Sequence, residues 1–163
     1  MLQETKDRLL KFLTQSCMNH YGSDLVSVVV YGSVARGTHT YSSDVDILLI
    51  VNDLPRGRLN RMRDFSRIEK QLVQELQAAK DKGWNADLSP VIRTPDEVSA
   101  GGYLYLDMVD DALILFDKKN FFSDYLKDLV KRLNVYGARK RPWKGGYYWE
   151  IKPDIQPGEV LNL

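Results

Sequence analysis

The sequence predicts an α+β protein in which a small mixed β-sheet is flanked by helices. Two apolar, β-branched runs, 25–31 and 44–51, have the composition of buried strands. Two longer segments, 3–20 and 58–81, repeat their apolar residues at the spacing of an amphipathic helix. Since both kinds of element bury one apolar side, we expect the helices to pack on the sheet.

The second half of the chain supplies the remaining elements. We expect a third strand over 84–92 and a helix that begins at Thr94-Pro95-Asp96-Glu97, where an N-cap residue, a proline and two acids follow one another. That helix is predicted to reach Asp110, although Gly101-Gly102 weakens its middle. A short strand over 112–116 and a last helix over 120–136 complete the pattern.

Two aspartates mark the start of the second predicted strand. Side chains alternate between the faces of a strand, so Asp44 and Asp46 share one face while Val45 and Ile47 share the other. Two carboxylates on one face, about 6–7 Å apart along the strand, are suited to share one divalent cation or to bridge two. Solvated aspartates on an edge strand after a simple turn are the alternative.

The connection before this strand has features of a phosphate-binding loop. Gly32 lets a phosphate approach the backbone closely, and Ser33 offers a hydroxyl and an N–H group, or a cap for the next turn. Arg36 lies one turn later with a planar guanidinium, and is otherwise a surface charge. Ser43 is predicted either to contact phosphate or to cap the strand.

Gly32-Ser33, ten intervening residues and Asp44-Val45-Asp46 together resemble the signature of the polymerase-β-like nucleotidyltransferase superfamily. The sequences of Gly32 to Gly37 and of Ser43 to Leu49 are similar to those of its small stand-alone members, the minimal nucleotidyltransferases. The resemblance implies a polymerase-β palm-like fold over 1–138. It also implies that Gly32 and Ser33 hold the nucleotide triphosphate, and Arg36 and Ser43 are the further candidates for binding it.

The resemblance further implies a third carboxylate on a neighbouring strand. Asp87, inside the predicted strand 84–92, is the candidate, and a structural aspartate paired with an arginine is the alternative. Asp44, Asp46 and Asp87 would then be both the catalytic residues and the ligands of two Mg²⁺ ions, with Mn²⁺ as an alternative. An all-oxygen donor set is the one that magnesium prefers.

Composition argues against a strongly basic, a disulfide-bonded and a membrane-spanning protein. The 163 residues carry a net charge of only +1, which gives no long-range attraction to nucleic acid. A single cysteine, Cys17, excludes an internal disulfide and a cysteine-based zinc site. No apolar run approaches 18 residues and no signal peptide is recognisable, so we expect a cytoplasmic protein without a membrane contact.

The predicted activity is metal-dependent transfer of a nucleoside monophosphate from an NTP, with pyrophosphate released. ATP is the nucleotide that the resemblance favours, and a protein, an RNA end or a small molecule is the acceptor. The alternative function is an antitoxin-like interaction protein that pairs with, and adenylylates, a HEPN-type partner.

Residues 139–163 are predicted to form an extended tail that is basic and aromatic. Its first part, 139–149, mixes arginines and lysines with tryptophans and tyrosines. This pattern suits stacking on bases and pairing with phosphates, and equally suits packing on the domain or contact with a second copy in a homodimer.

Overall fold

A four-stranded mixed sheet forms the centre of the protein in a computed structural model that describes residues 2–161 and 163. The strands lie in the order β3-β2-β1-β4, with β1 antiparallel to β2 and β4 and with β2 parallel to β3. The predicted α+β class is therefore confirmed. The strands are β1 (Leu25–Tyr31), β2 (Val45–Val51), β3 (Leu88–Arg93) and β4 (Leu113–Asp117).

Helices cover both faces of this sheet. Within residues 2–161 and 163, no helix is both long and apolar enough to cross a bilayer. The helices are α1 (Leu2–Tyr21), α2 (Gly32–Arg36), α3 (Arg58–Gln71), α4 (Val73–Asp81), α5 (Pro95–Ser99), α6 (Met108–Asp111) and α7 (Phe121–Tyr136).

The sheet separates two hydrophobic cores. Val45 and Ile47 of β2 point into the core formed with α1, α3 and α4, whereas Leu48 and Ile50 point into the core formed with α5, α6 and α7. All four side chains are fully buried, and each stabilises the fold by about 1.5–3 kcal/mol. The alternation places Asp46 on the same face as Leu48, which is the α7 side.

The helix predicted over 58–81 is interrupted. Leu72 leaves the helical conformation, with φ −97° and ψ 1°, and separates α3 from α4. Its side chain is fully buried in the same core as Ile68 and Ala79. A break of one residue leaves the apolar face almost continuous, so the sequence periodicity does not reveal it.

The helix predicted to reach Asp110 begins as expected but ends early. Thr94 and Glu97 form a reciprocal capping box, with N–H to side-chain distances of 3.2 and 2.9 Å. The helix then ends at Ser99, because Gly101 and Gly102 both have positive φ. A 3₁₀ turn and α6 follow in place of the longer helix.

Residues 139–150 form a β-hairpin, whereas the sequence predicted an extended tail. Strands β5 (Arg139–Trp143) and β6 (Gly146–Glu150) pair in antiparallel register. Lys144 and Gly145 join them with positive φ values of 42° and 83°, the conformation of a two-residue hairpin turn. The domain boundary at 138/139 stays a prediction.

The outer edge of β3 is protected against a further strand. Pro90 has no N–H group to donate, and the carbonyl of Ile92 accepts a hydrogen bond from Nη1 of Arg61 at 3.0 Å. The Arg61 guanidinium is itself held by both carboxylate oxygens of Glu97, at 2.7 and 3.0 Å.

Asp117 joins the end of β4 to the start of α7. Its carboxylate accepts hydrogen bonds from the N–H groups of Phe122 and Ser123, at 3.0 and 2.9 Å, and from the hydroxyls of Ser123 and Ser27, at 2.6 and 2.7 Å. Burial acts to raise the pKa of Asp117, but the hydrogen bonds outweigh it and lower the pKa.

We expect Asp117→Ala to lower the free energy of unfolding by about 1–3 kcal/mol, because four donors lose their acceptor. Thermal unfolding followed by circular dichroism would show a melting temperature about 3–10 °C lower at neutral pH. A lowered pKa stabilises the folded state above the pKa of the unfolded chain. The deficit of the variant should therefore shrink as the pH falls through the folded pKa. Asp124→Ala, at an exposed ion pair with Lys127, is the control.

Candidate active site

The two aspartates of the predicted motif lie where β2 begins. The strand starts at Val45, one residue later than predicted, so Asp44 directly precedes it and is exposed. Asp46 lies within the strand and is half-buried. Asp46 pairs in register with Tyr31 of β1 and with Ser89 of β3. The site is therefore at one end of the two central strands, on the face that α7 covers.

Asp87 lies beside this pair. It directly precedes β3 and is not inside a strand as predicted, because the third strand starts at Leu88. The N–H of Val45 donates to the carbonyl of Asp87 at 2.7 Å, and Val45 is in register with Leu88. Parallel neighbours in register share a face, so the backbone brings Asp87 next to Asp44.

The side chains are not gathered into a finished metal site. Over residues 2–161 and 163, no three His, Cys, Asp or Glu side chains are placed so that together they could hold a metal ion. The register brings the backbones of Asp44, Asp46 and Asp87 to one end of the sheet. Convergence of their carboxylates on one cation stays a prediction.

The pKa of Asp46 is raised by its surroundings. Burial raises the pKa of the Asp46 carboxyl, the charge of Asp44 raises it further, and Arg36 partly offsets both effects. A half-buried carboxylate beside a second, exposed one favours binding of a cation, because a cation relieves their repulsion. The donors are all carboxylate oxygens, which fits magnesium and does not fit a metal that prefers nitrogen or sulfur.

Gly32 makes room for the Asp46 carboxylate. Its φ is +71°, and a Cβ atom at this position would lie 2.3 Å from Oδ2 of Asp46. The sequence suggested that Gly32 admits a phosphate. The structure shows in addition that residue 32 can carry no side chain while Asp46 keeps its position.

Ser33 and Arg36 lie on the one-turn helix α2. Ser33 is a helical residue and not an N-cap, and its carbonyl accepts a hydrogen bond from the Thr38 N–H at 2.9 Å. Arg36 approaches Asp111 of α6, with Nη1 and Oδ2 3.8 Å apart, and also affects the pKa of Asp46. Arg36 is thus close to the aspartates, as its predicted role requires.

Ser43 belongs to a tight turn. Its hydroxyl accepts a hydrogen bond from the Thr40 N–H at 2.8 Å and lies 3.2 Å from the Thr40 hydroxyl. Its carbonyl accepts from Nε1 of Trp84 at 2.9 Å. These contacts match the capping alternative. Its predicted contact with a nucleotide stays untested.

Two neighbours of the site were not found from the sequence. Asp111 is distant in sequence from Arg36, and nothing in the local pattern links the two. His39, in the loop after α2, packs on Trp84 with ring centroids 4.8 Å apart. Its two ring nitrogens are buried without a hydrogen-bond partner in the described part of the chain. Burial and then the charge of Lys6 lower the pKa of His39.

Comparisons with known proteins agree with this arrangement of motifs. A family model described as nucleotidyltransferase domain matches residues 11–134, a segment that contains every predicted site residue. A provisionally named protein adenylyltransferase of Methanocaldococcus jannaschii is 27% identical over 150 residues, which cover 88% of this chain and 97% of the relative.

Two solved structures are also similar to the chain. A provisionally named nucleotidyltransferase from Sulfolobus solfataricus has a TM-score of 0.45 and 20% identity, over 72% of this chain and 88% of its own. A toxin–antitoxin complex crystallised with AMP-PNP contains a chain with a TM-score of 0.49 and 18% identity, over 77% of this chain and 87% of its own.

A matched pair of glycine variants tests the contact between Gly32 and Asp46. Gly32→Ala and Gly37→Ala impose similar backbone strain, since φ is +71° and +70°, but only position 32 has an atom within 4 Å of the new Cβ. We expect each to cost about 1–2 kcal/mol in backbone strain. Gly32→Ala should cost at least about 1 kcal/mol more. Equal melting temperatures for the two variants would show that the contact is unimportant.

Proposed function

Since the chain belongs to the nucleotidyltransferase domain family, we propose that it transfers AMP from ATP to a hydroxyl group of a protein. The acceptor oxygen forms a bond to the α-phosphorus, the bond from that phosphorus to the bridging oxygen of pyrophosphate breaks, and the acceptor proton passes to a base or to solvent. The archaeal relative is named a protein adenylyltransferase, which supports AMP as the transferred group and a protein as the acceptor.

The observation that carries the proposal is the electrostatic interaction of Asp44 with Asp46 next to Gly32. Asp44 and Asp46 share the end of β2, Asp46 has a raised pKa, and Gly32 leaves no side chain in front of Asp46. An anionic site of this kind binds a triphosphate only if a cation accompanies it. Metal-assisted transfer of a phosphorus group is the chemistry that fits such a site.

We propose that Asp44, Asp46 and Asp87 hold the magnesium ions, with Mn²⁺ as a substitute. When bound, the ions would neutralise charge on the triphosphate and lower the pKa of the acceptor hydroxyl. Asp87 lies at the edge of the site, next to solvent, where it can accept the proton of an incoming hydroxyl group.

The nucleotide would lie between the aspartates and α2. Gly32 permits close approach of a phosphate, Ser33 offers its hydroxyl, and Arg36 offers a guanidinium that is only 3.8 Å from Asp111 and partly exposed. Ser43 would contribute after its hydroxyl exchanges Thr40 for a phosphate oxygen.

The proposed reaction is compatible with the antitoxin-like alternative. A HEPN-type partner that is bound and adenylylated on a hydroxyl group would be an acceptor of the proposed class. Adding such a protein, encoded beside this chain, to the transfer assay below would test that role directly.

Asp46→Asn should remove metal binding and also raise the stability of the metal-free protein. The raised pKa means that ionised Asp46 destabilises the folded state, an effect that appears as the pH rises through that pKa. At neutral pH we expect a melting temperature higher than that of the natural protein, and no difference at a pH below both pKa values. Asp53→Asn, in an exposed turn after β2, is the control.

Magnesium should reduce or reverse the difference in melting temperature between Asp46→Asn and the natural protein. Millimolar Mg²⁺ with a non-hydrolysable ATP analogue should raise the melting temperature of the natural protein and leave that of Asp46→Asn unchanged. An equal rise in both proteins would contradict the assignment of Asp46 as a ligand, whether or not transfer is observed.

The transfer reaction is tested with ATP labelled at the α-phosphate, Mg²⁺ and protein acceptors, by counting label on gel-separated proteins. We expect labelling that EDTA abolishes and that Asp44→Ala and Asp46→Ala reduce by at least about 100-fold. Arg36→Gln should lower the rate by about 10–100-fold, because one charge-assisted contact is lost. Label from γ-labelled ATP would indicate a kinase and contradict the proposal.

A further inference from the structure

The hairpin of residues 139–150 has two different faces. Paired residues of an antiparallel ribbon share a face, so Lys140, Tyr147 and Trp149 form one face. This inner face is attached to the domain: Lys140 pairs with Asp110, Tyr147 donates to Asp107 at 2.9 Å, and Trp149 joins the core beneath α7.

The outer face consists of Arg139, Arg141, Trp143, Tyr148 and Glu150 and is directed to solvent. Trp143 is 61% exposed and Tyr148 is 49% exposed, although tryptophan is a residue that proteins usually bury. The two rings contact each other edge to face, with centroids 6.5 Å apart and an angle of 84°. An edge-to-face pair leaves a ring face free for a further planar group.

Positive charge is concentrated on this hairpin. It contains four basic residues and one acidic residue, but Lys140 belongs to the inner face and pairs with Asp110, so the outer face and its turn carry a net charge of +2. Arg141 is paired with Glu150 at 2.8 Å. Arg139 and Lys144 have no carboxylate partner within residues 2–161 and 163, and Lys144 lies 5.4 Å from the Trp143 ring centroid.

The hairpin is next to the candidate active site. The segment 107–111 contacts the inner face through Asp107 and Asp110, and it contacts Arg36 through Asp111. The charge of Asp107 also acts on Tyr31, the neighbour of Asp46 in the sheet. One short segment therefore separates the outer face from the helix that carries Ser33 and Arg36.

We propose that the outer face of the hairpin binds single-stranded RNA. Cations that alternate with exposed rings are suited to a chain of alternating phosphates and bases, because phosphates pair with the cations while bases stack on the rings. Unpaired bases are common in RNA loops and ends, whereas DNA bases are mostly held in duplexes. Binding rests on the hairpin alone and does not require the transfer reaction.

Fluorescence anisotropy with a labelled oligouridylate of about 20 nucleotides tests the proposal. At low salt we expect a dissociation constant of about 1–100 μM. We expect Arg139 and Lys144 each to contact one phosphate. A plot of the logarithm of the association constant against the logarithm of the salt concentration should then have a slope of about −1.4. Arg139→Gln should reduce that slope by about half. Saturable binding with these properties supports the proposal, and absence of binding at low salt overturns it.

Variants of the aromatic residues separate stacking from simple charge attraction. Trp143→Ala and Tyr148→Ala should each weaken binding at least about fivefold, while Tyr103→Ala, at a tyrosine that is 76% exposed elsewhere, should not. Unchanged affinity for the first two variants overturns the proposal. So does equal competition by polyglutamate, which would indicate an acidic protein, or tighter binding of the matching oligothymidylate.

The catalytic proposal and the RNA proposal fail separately. Asp46→Asn should retain full RNA affinity, because Asp46 lies on the sheet and not on the hairpin. Binding without transfer would then contradict the proposed reaction alone. Transfer without binding would contradict the RNA site alone.

Discussion

The contact between the Asp46 carboxylate and the backbone of Gly32 is the constraint on which the candidate site depends. Antiparallel pairing of β1 with β2 sets Tyr31 beside Asp46, and the next residue must turn sharply into α2. A Cβ atom at this position would lie 2.3 Å from Oδ2 of Asp46, so a larger residue fits only if the Asp46 side chain moves. The same residue thus permits a positive φ, an uncovered carboxylate and a free approach for a ligand.

The sequence was sufficient for the parts of the fold that depend on local pattern. Strands β1 and β2 and the start of α5 follow from the alternation of apolar residues and from capping chemistry. The sequence was insufficient where a distant contact decides the structure. The break at Leu72 depends on packing in the core, and the hydrogen bond from Ser27 to Asp117 joins residues 90 positions apart. The β5–β6 hairpin is attached to the domain through Asp107 and Asp110.

The candidate site residues were proposed from residue type and spacing and their roles stay predictions, whereas the approach of Arg36 to Asp111 was not predicted. Asp111 and Asp107 reach the site only because α5 ends at Ser99 and the chain turns back through a 3₁₀ segment. The segment 107–111 consequently contacts both Arg36 and the hairpin. A ligand that draws Arg36 away from Asp111 would change the charge balance on the same segment that holds Lys140.

The protected edge of β3 has a consequence for the behaviour of the protein at high concentration. Sheet edges recruit strands from other molecules, and such recruitment is the first step of many insoluble assemblies. Pro90 lacks one donor that an incoming strand would use, and the Arg61–Ile92 bond occupies one acceptor. A strand from another molecule would therefore find fewer hydrogen-bond partners along β3 while the Arg61 side chain is in place.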